Sequence, residues 1–416
     1  MPTIELKYGS TSIPFEYDPS AFEILGRRQE LPSLTDAEIG EKLDHPIAAR
    51  PLEEIVGTGE SVLIVVPDAT RKTAAGQVVN LLVRRLIANG SLPSEITIIF
   101  ATGIHRKVTE AEKAEILTPF IAQRIKTLDH DPRDLAKLVR LGETTGGIPI
   151  ELNRALVDYD HVVLVGGVTF HYFAGFTGGR KLICPGLAST RTITATHKLA
   201  FDCENRSRRN GVDTGLLDGN AVHEAFAEAV SKVDPAFAIS TIVNSHGEVA
   251  DLYCGDWIKS HRAACDDFAS QNTVKVTEKR DLVIVSCGGF PHDINLIQAH
   301  KALEAASHAC SEGGKIVLLA ECRDGLGRDD FLKWFDAETS EALAVKLCEK
   351  YQVNGQTAWS LLRKAERFDI SVVTGLDGDA LSKMRLRSEE SLTVHSKEGG
   401  YIITEGARTM IRTLDN

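Results

Sequence analysis

Five short runs of almost uninterrupted aliphatic residues, each ending in a polar or glycine-bearing loop, constrain the fold of this chain more than anything else in it. SVLIVV (61–66) leads into Asp68-Ala69-Thr70-Arg71, and EITIIF (95–100) leads into Thr102-Gly103-Ile104-His105-Arg106. HVVLVG (161–166) leads into a loop that starts near Thr169. DLVIVS (281–286) runs into Cys287-Gly288-Gly289-Phe290, and KIVLLA (315–320) into Glu321-Cys322-Arg323-Asp324-Gly325. A strand with one wet face alternates apolar and polar residues; a continuous run is buried on both faces, as in a parallel sheet covered by helices. After the first run, Val78, Val79, Leu82, Leu86 and Ile87 recur at helical spacing, and Gly90 stops the helix. The pattern predicts an α/β fold with mostly parallel sheets flanked by helices. Ligands of such sheets bind at the loops leaving the carboxyl ends of the strands, where nearly every polar cluster of this chain falls.

A chain of 416 residues exceeds the usual single core, so two domains are expected. The polar stretch from Ser270 to Arg280 separates two series of strands and places a boundary near residue 272. This gives an N-terminal domain over 1–272 and a C-terminal domain over 273–400, with the active site in the interdomain cleft. YIIT (401–404) reads as a short strand, so that 401–416 can pack back on the first domain. With 58 acidic against 47 basic side chains, the net charge of -11 is a poor match to nucleic acid or an anionic membrane surface. An anionic substrate therefore needs a local basic pocket. No apolar run approaches the roughly 20 residues that span a bilayer, and the opening MPTIELKYGS lacks the basic-then-apolar layout of a signal peptide. The eight cysteines contain no CxxC pair, which predicts reduced, mostly buried thiols and a cytoplasmic protein rather than a disulfide framework or zinc ribbon.

The densest chemistry lies in His171-Tyr172-Phe173-Ala174-Gly175-Phe176-Thr177-Gly178-Gly179-Arg180-Lys181. Its glycines can bring backbone amides close to an anion, with Arg180 and Lys181 adding positive charge. The order Gly-Lys-Ser/Thr is absent, so this is no Walker A loop. Lys181 can be read as a surface lysine, a phosphate contact or a covalent attachment point. Of the 13 histidines, His105 and His171 follow strand-end loops, and His197 lies in a helix expected to begin near Ser189. A lone histidine is more often structural. No HxxxH pair offers two metal ligands on one helix face, so any metal takes most of its ligands from elsewhere or from residues far apart. In the second domain, Asp293 or Asn295 caps a helix that puts Gln298 and Lys301 on one face. An amide and an ammonium there can clamp a carboxylate, or simply form a solvated first turn.

Taken in order, these pieces resemble the lactate racemase family from about residue 60 to residue 330. The resemblance is carried by Asp68-x-Thr70-Arg71, Thr102-Gly-x-His105-Arg106, His171-x-Phe-Ala-Gly-x-Thr-Gly-Gly-Arg-Lys181, Pro185-Gly186, His197 and Asp293-Ile-Asn-Leu-x-Gln298-x-x-Lys301. It implies a racemase or epimerase of small 2-hydroxy acids that uses a nickel-pincer nucleotide, a pyridinium mononucleotide gripping nickel through one carbon and two sulfurs. It implies that Lys181 carries the group covalently, with Thr70, Gly178, Gly179 and Arg180 around it. His197 becomes the one protein ligand to nickel, and His105 and His171 the acid–base pair. Arg71, Gln298 and Lys301 become the substrate anchors, and Asp68 a site residue that orients a histidine. It also implies partners: enzymes that build the cofactor and a protein that inserts nickel.

The chemistry fits that assignment. The C2–H of a 2-hydroxy acid is only weakly acidic, whereas hydride removal to an electron-poor ring leaves a flat 2-keto acid. An imidazole with an ordinary pKa of about 6.5 suits the accompanying hydroxyl proton. Two histidines on opposite faces would serve opposite enantiomers. Ile297 stands where lactate enzymes carry tyrosine, which changes the pocket wall; Tyr172, Phe173 and His292 are the other candidates for shaping it. Malate, an aromatic 2-hydroxy acid or an aldonic acid are the alternatives for the same chemistry. From other classes, a Schiff-base lysine enzyme and a non-catalytic nucleotide sensor remain open.

Overall fold

The computed structural model describes residues 1–26 and 31–414. The chain forms two compact units. Among the described residues, one gathers 31–200 and 211–268; the other gathers 1–26, 201–210 and 269–414.

The first of these is built on a six-stranded sheet in the order Val249–Gly255, Phe237–Val243, His161–Gly167, Val62–Pro67, Ile96–Ala101, Lys126–Asp129. All neighbours are parallel except the first two, which form an antiparallel pair. Val62 to Val66 are fully buried, as their unbroken aliphatic run requires. The helix Ala75–Ala88 lays Val78, Val79, Leu82, Val83 and Leu86 on the sheet. Ile87, expected on that face, points to solvent instead. The chain turns off this helix at Gly90, with φ +107°.

The other unit has a wholly parallel six-stranded sheet in the order Arg387–Ser388, Asp369–Val373, Cys310–Leu319, Arg280–Ser286, Gly400–Ile403, Phe22–Leu25. Apolar clusters cover both of its faces. The change of unit falls at Ala269, close to the expected boundary, but the N-terminal assignment needs correcting. Residues 1–26 belong with the C-terminal strands, because Phe22–Leu25 pairs in parallel with Gly400–Ile403. The 401–404 strand thus meets N-terminal residues, but inside its own sheet.

A second correction concerns Phe201–Asn210, a polar stretch that joins the same unit. Phe201 packs edge-on against Trp359, with ring centroids 4.9 Å apart. Arg208 reaches the buried carboxylate of Glu304 at 2.7 Å, and Lys364 meets its other oxygen at 2.7 Å. Burial alone would raise the Glu304 pKa, but these two cations hold it well below the ordinary carboxylate range. Cys203 and Cys348 form a disulfide, so the expectation of thiols throughout fails for this pair. The other six cysteines are buried thiols. No helix among the described residues is long and apolar enough to cross a membrane.

Candidate functional site

Adjacent parallel strands bring their carboxyl ends side by side, and three of them deliver the polar residues of the sheet in the unit of 31–200 and 211–268. Val62–Pro67 runs into Asp68, Ile96–Ala101 into the loop of His105, and His161–Gly167 into that of His171. The loop after Ile96–Ala101 also touches the segment following Lys181, where the Gly103 amide donates to Gly186 at 2.8 Å.

Asp68 is buried and its carboxylate is shared between two partners. Oδ1 accepts from the backbone and the hydroxyl of Thr70 at 3.0 and 2.6 Å, and Oδ2 meets Nδ1 of His105 at 2.7 Å. Burial would raise its pKa, but His105, Arg71 and the Thr70 hydroxyl bring it down to about 2. A carboxylate can only accept, so Nδ1 of His105 carries the hydrogen and the lone pair of the neutral ring lies on Nε2. Thr70, expected at the cofactor, gives its hydroxyl to Asp68. Arg71 is half-buried, and burial lowers its pKa against the opposing pull of Asp68.

The next loop folds back as a small hairpin, Phe170–His171 against Gly175–Phe176. Thr177 closes its base: its hydroxyl donates to Gly167 O at 2.9 Å and accepts from the Thr169 amide at 2.9 Å. The His171 ring stacks on Tyr172 with centroids 5.5 Å apart, and meets Phe173 edge-on at 4.5 Å. Phe173 is the hub of the site. Besides His171 it touches the His197 ring at 5.2 Å, and the Lys181 ammonium lies 5.8 Å from its centroid. Phe226 does the same from the helix Ala221–Val230, 5.5 Å from His197 and 5.9 Å from Lys181. Lys181 and His197 are therefore held against the same two rings.

His197 lies in the last turn of the helix Thr190–Lys198, which Ser189 caps by accepting from the Thr192 amide. Its Nδ1 sits 2.8 Å from Ile193 O, so Nδ1–H donates there and Nε2 keeps its lone pair. Burial, with the Lys181 charge behind it, pushes its pKa down to about 3 and keeps the ring neutral. A neutral imidazole tethered through one nitrogen is the form that ligates a metal. Among the described residues, no three His, Cys, Asp or Glu side chains gather as a metal site. One such histidine beside one amine fits a group that brings its own metal ligands and needs the protein for attachment and a single nitrogen.

The glycines and Arg180 turn out to face the protein. Gly178 and Gly179 have φ of +73° and +48°. A Cβ on Gly178 would lie 2.9 Å from Gly167 O, and one on Gly179 would lie 2.5 Å from the His261 ring. Arg180 is buried and donates from Nη2 to Ala174 O at 2.7 Å. Sequence reading passed over Phe226, His261 and Asn220, whose amide donates to Phe173 O at 3.0 Å while its Oδ1 caps the Ala221–Val230 helix. An apolar residue at helical spacing reads as core, and Asn220 reads only as a cap.

The remaining candidates lie in the other unit. Asn295, not Asp293, caps the Leu296–Ala299 turn by accepting from the Gln298 amide at 3.0 Å. Asp293 is buried and instead takes the amides of Gly9 and Glu321 at 2.7 and 3.3 Å. Lys301 precedes the helix Ala302–Ala309, and its Nζ donates to Oε1 of Gln298 at 2.5 Å. Ile297 is half-buried against the core of this unit.

Residues 8–209 match the family model for the lactate racemase N-terminal domain, and 275–403 match that for the lactate racemase C-terminal domain. The lactate racemase of Thermoanaerobacterium thermosaccharolyticum is 29% identical over 339 residues, covering 80% of this chain and 78% of that protein. The lactate racemase of Lactiplantibacillus plantarum is 31% identical over 299 residues, covering 72% and 69%. The structure of the Thermoanaerobacterium apoprotein superposes with a TM-score of 0.86 at 26% identity, covering 99% of this chain and 100% of that one. A crystal structure of a Thermotoga maritima protein, 20% identical with a TM-score of 0.74 over 93% of this chain and 100% of that one, shares the fold. The chain belongs to the lactate racemase family.

Proposed function

We propose that this protein inverts C2 of a small 2-hydroxy acid, lactate or a close relative of it, with a nickel-pincer nucleotide attached to Lys181. The observation that carries the reading is the pairing of Lys181 with the neutral His197 against Phe173 and Phe226. When bound, the group supplies an electron-poor ring that takes up and returns a hydride. Lys181 holds it, and Nε2 of His197 offers one ligand to nickel.

The other side chains handle the proton and the carboxylate. His105 takes the hydroxyl proton at Nε2, and the Asp68 carboxylate stabilises the imidazolium that results. His171 does the corresponding work for the opposite enantiomer, and each ring is the acid that returns the hydroxyl proton for the enantiomer on which the other is the base. Gln298 and Lys301 bind the substrate carboxylate, with Arg71 as a further anchor. Phe173, packed among His171, His197 and Lys181, helps exclude water from the reacting atoms. The partners implied are the enzymes that build the cofactor and a protein that inserts nickel, and the reading places the chain in the cytoplasm. A Schiff-base lysine enzyme has no use for a buried ligand histidine beside its amine.

The test is production of the protein alongside those enzymes, followed by intact mass, nickel analysis and chiral analysis of lactate. Added mass on the wild type, its loss in Lys181→Ala and interconversion of the two lactates are expected. An unmodified, nickel-free protein that racemises at full rate would overturn the reading.

A further inference from the structure

His105 and His171 are held through different hydrogen-bond roles. His105 donates from Nδ1 to Asp68, which leaves the lone pair on Nε2. At His171 the backbone amide of Ala174 donates to Nδ1 at 3.3 Å. An amide N–H only donates, so Nδ1 of His171 is the acceptor and the neutral ring carries its hydrogen on Nε2. The two rings are thus in opposite tautomers.

Arg180 stands behind this arrangement. Ala174, whose amide engages His171, has its carbonyl engaged by Nη2 of Arg180 at 2.7 Å. Nη1 of the same guanidinium lies 3.2 Å from Nε2 of His261, but that nitrogen donates to Thr177 O at 2.8 Å and so does not accept from Arg180. Nε of Arg180 is buried without a partner, and no carboxylate pairs with Arg180 among the described residues. A guanidinium so placed is costly, since burial normally goes with an opposite charge. Its Nη2 is spent on one main-chain carbonyl of the His171 loop. Only glycine fits at 179, where a side chain would collide with the His261 ring.

We propose that Arg180 is a positioning residue that, by holding Ala174, fixes His171 with Nδ1 engaged and its hydrogen on Nε2. This rests on the reading of His105 and His171 as the acid–base pair, and it makes them unequal. His105 can accept a proton at Nε2 as it stands. For His171 to offer a lone pair at Nε2, its hydrogen must move to Nδ1, and the Ala174 amide must first turn away. The enantiomer that relies on His171 as base therefore starts more slowly, by about tenfold, the equivalent of one neutral hydrogen bond.

The experiment is nitrogen NMR of the apoprotein labelled with [15N]histidine, the two resonance pairs being assigned through His105→Gln and His171→Gln. In the wild type, His171 should show a bare Nδ1 and a protonated Nε2, and His105 the reverse. Arg180→Lys keeps the charge but lacks the fork, so His171 should shift to a mixture of tautomers while His105 stays unchanged. Should that variant not fold, Arg180→Met, which removes the donor to Ala174 O without leaving a buried charge, makes the same comparison. Nδ1 protonation of His171 in the wild type, or an unaltered His171 pattern in the folded variant, would overturn the proposal. These resonances need no bound cofactor, so their failure leaves the proposed activity standing. Absence of racemisation in the loaded wild type would count against the activity and not against the tautomers.

Discussion

Nζ of Lys301 lies 2.5 Å from Oε1 of Gln298, and that contact decides which end of the amide is presented. With its oxygen turned to the ammonium, Gln298 directs its NH2 group away from Lys301. An ammonium and an amide donor side by side suit a carboxylate. Lys301→Met removes the charge and lets the amide flip. Its kcat/KM should fall by about 10²-fold, mostly through KM, as loss of a charge-assisted contact implies. Steady-state kinetics with each enantiomer check this, and an unchanged KM would remove Lys301 from the carboxylate.

Asp68→Asn tests the orientation of His105. The variant keeps the shape but loses the charge that supports an imidazolium, so the inversion rate should drop about 10²–10⁴-fold with little change in KM. The same substitution should alter acid stability. The folded Asp68 pKa, about 2, is depressed below its ordinary value, so its contribution is present above pH ~4 and disappears as the pH falls toward 2. Urea titrations of wild type and variant across that interval should converge at the acid end. A constant difference would mean that Asp68 is not charged in the fold.

The buried histidines set a second acid response at higher pH. Burial brings His130 to about 4 and His223, His261 and His300 to about 3. Below pH ~6.5 the unfolded chain takes up protons at these rings while the fold does not, so stability decreases as the pH falls. Each such ring contributes a slope of about 1.4 kcal/mol per pH unit. The urea midpoint of the apoprotein should therefore drop clearly between pH 7 and pH 5. A midpoint that holds steady over that range would show that these rings protonate in the fold.

Ile297, half-buried against the core of its unit, is where the proposed pocket wall is tested. Ile297→Tyr should favour lactate over bulkier 2-hydroxy acids, and the shift should be modest, about 1–3 kcal/mol in relative kcat/KM. Competition between lactate and a larger acid measures it. Identical ratios in the two proteins would place residue 297 outside the pocket.

Much of this was legible in the sequence because it is local. The runs at 61–66, 95–100, 161–166, 281–286 and 315–320 are strands of the two sheets, and their loops carry Asp68, His105 and His171. The pairing of Phe22–Leu25 with Gly400–Ile403 joins residues far apart in the chain, and no periodicity announces it. The polar 201–210 stretch looks like a loop because its anchor is a buried ion pair, Arg208 with Glu304, rather than an apolar pattern. Arg180 is the most instructive case. Beside Lys181 in a glycine-rich loop it reads as a ligand contact, whereas its guanidinium turns inward to Ala174. Composition gives the charge of a loop but not the direction in which each side chain points.

The proposed inversion turns on how hydrogen leaves and returns to C2. The direct measurement is incubation of the nickel-loaded protein with pure L-lactate in deuterium oxide, followed by chiral separation and mass analysis of the D-lactate formed. Hydride removal and return predicts D-lactate that retains its original hydrogen at C2, because hydride does not exchange with solvent. D-lactate carrying solvent deuterium at C2, or no D-lactate from protein that holds nickel and added mass on Lys181, would contradict it.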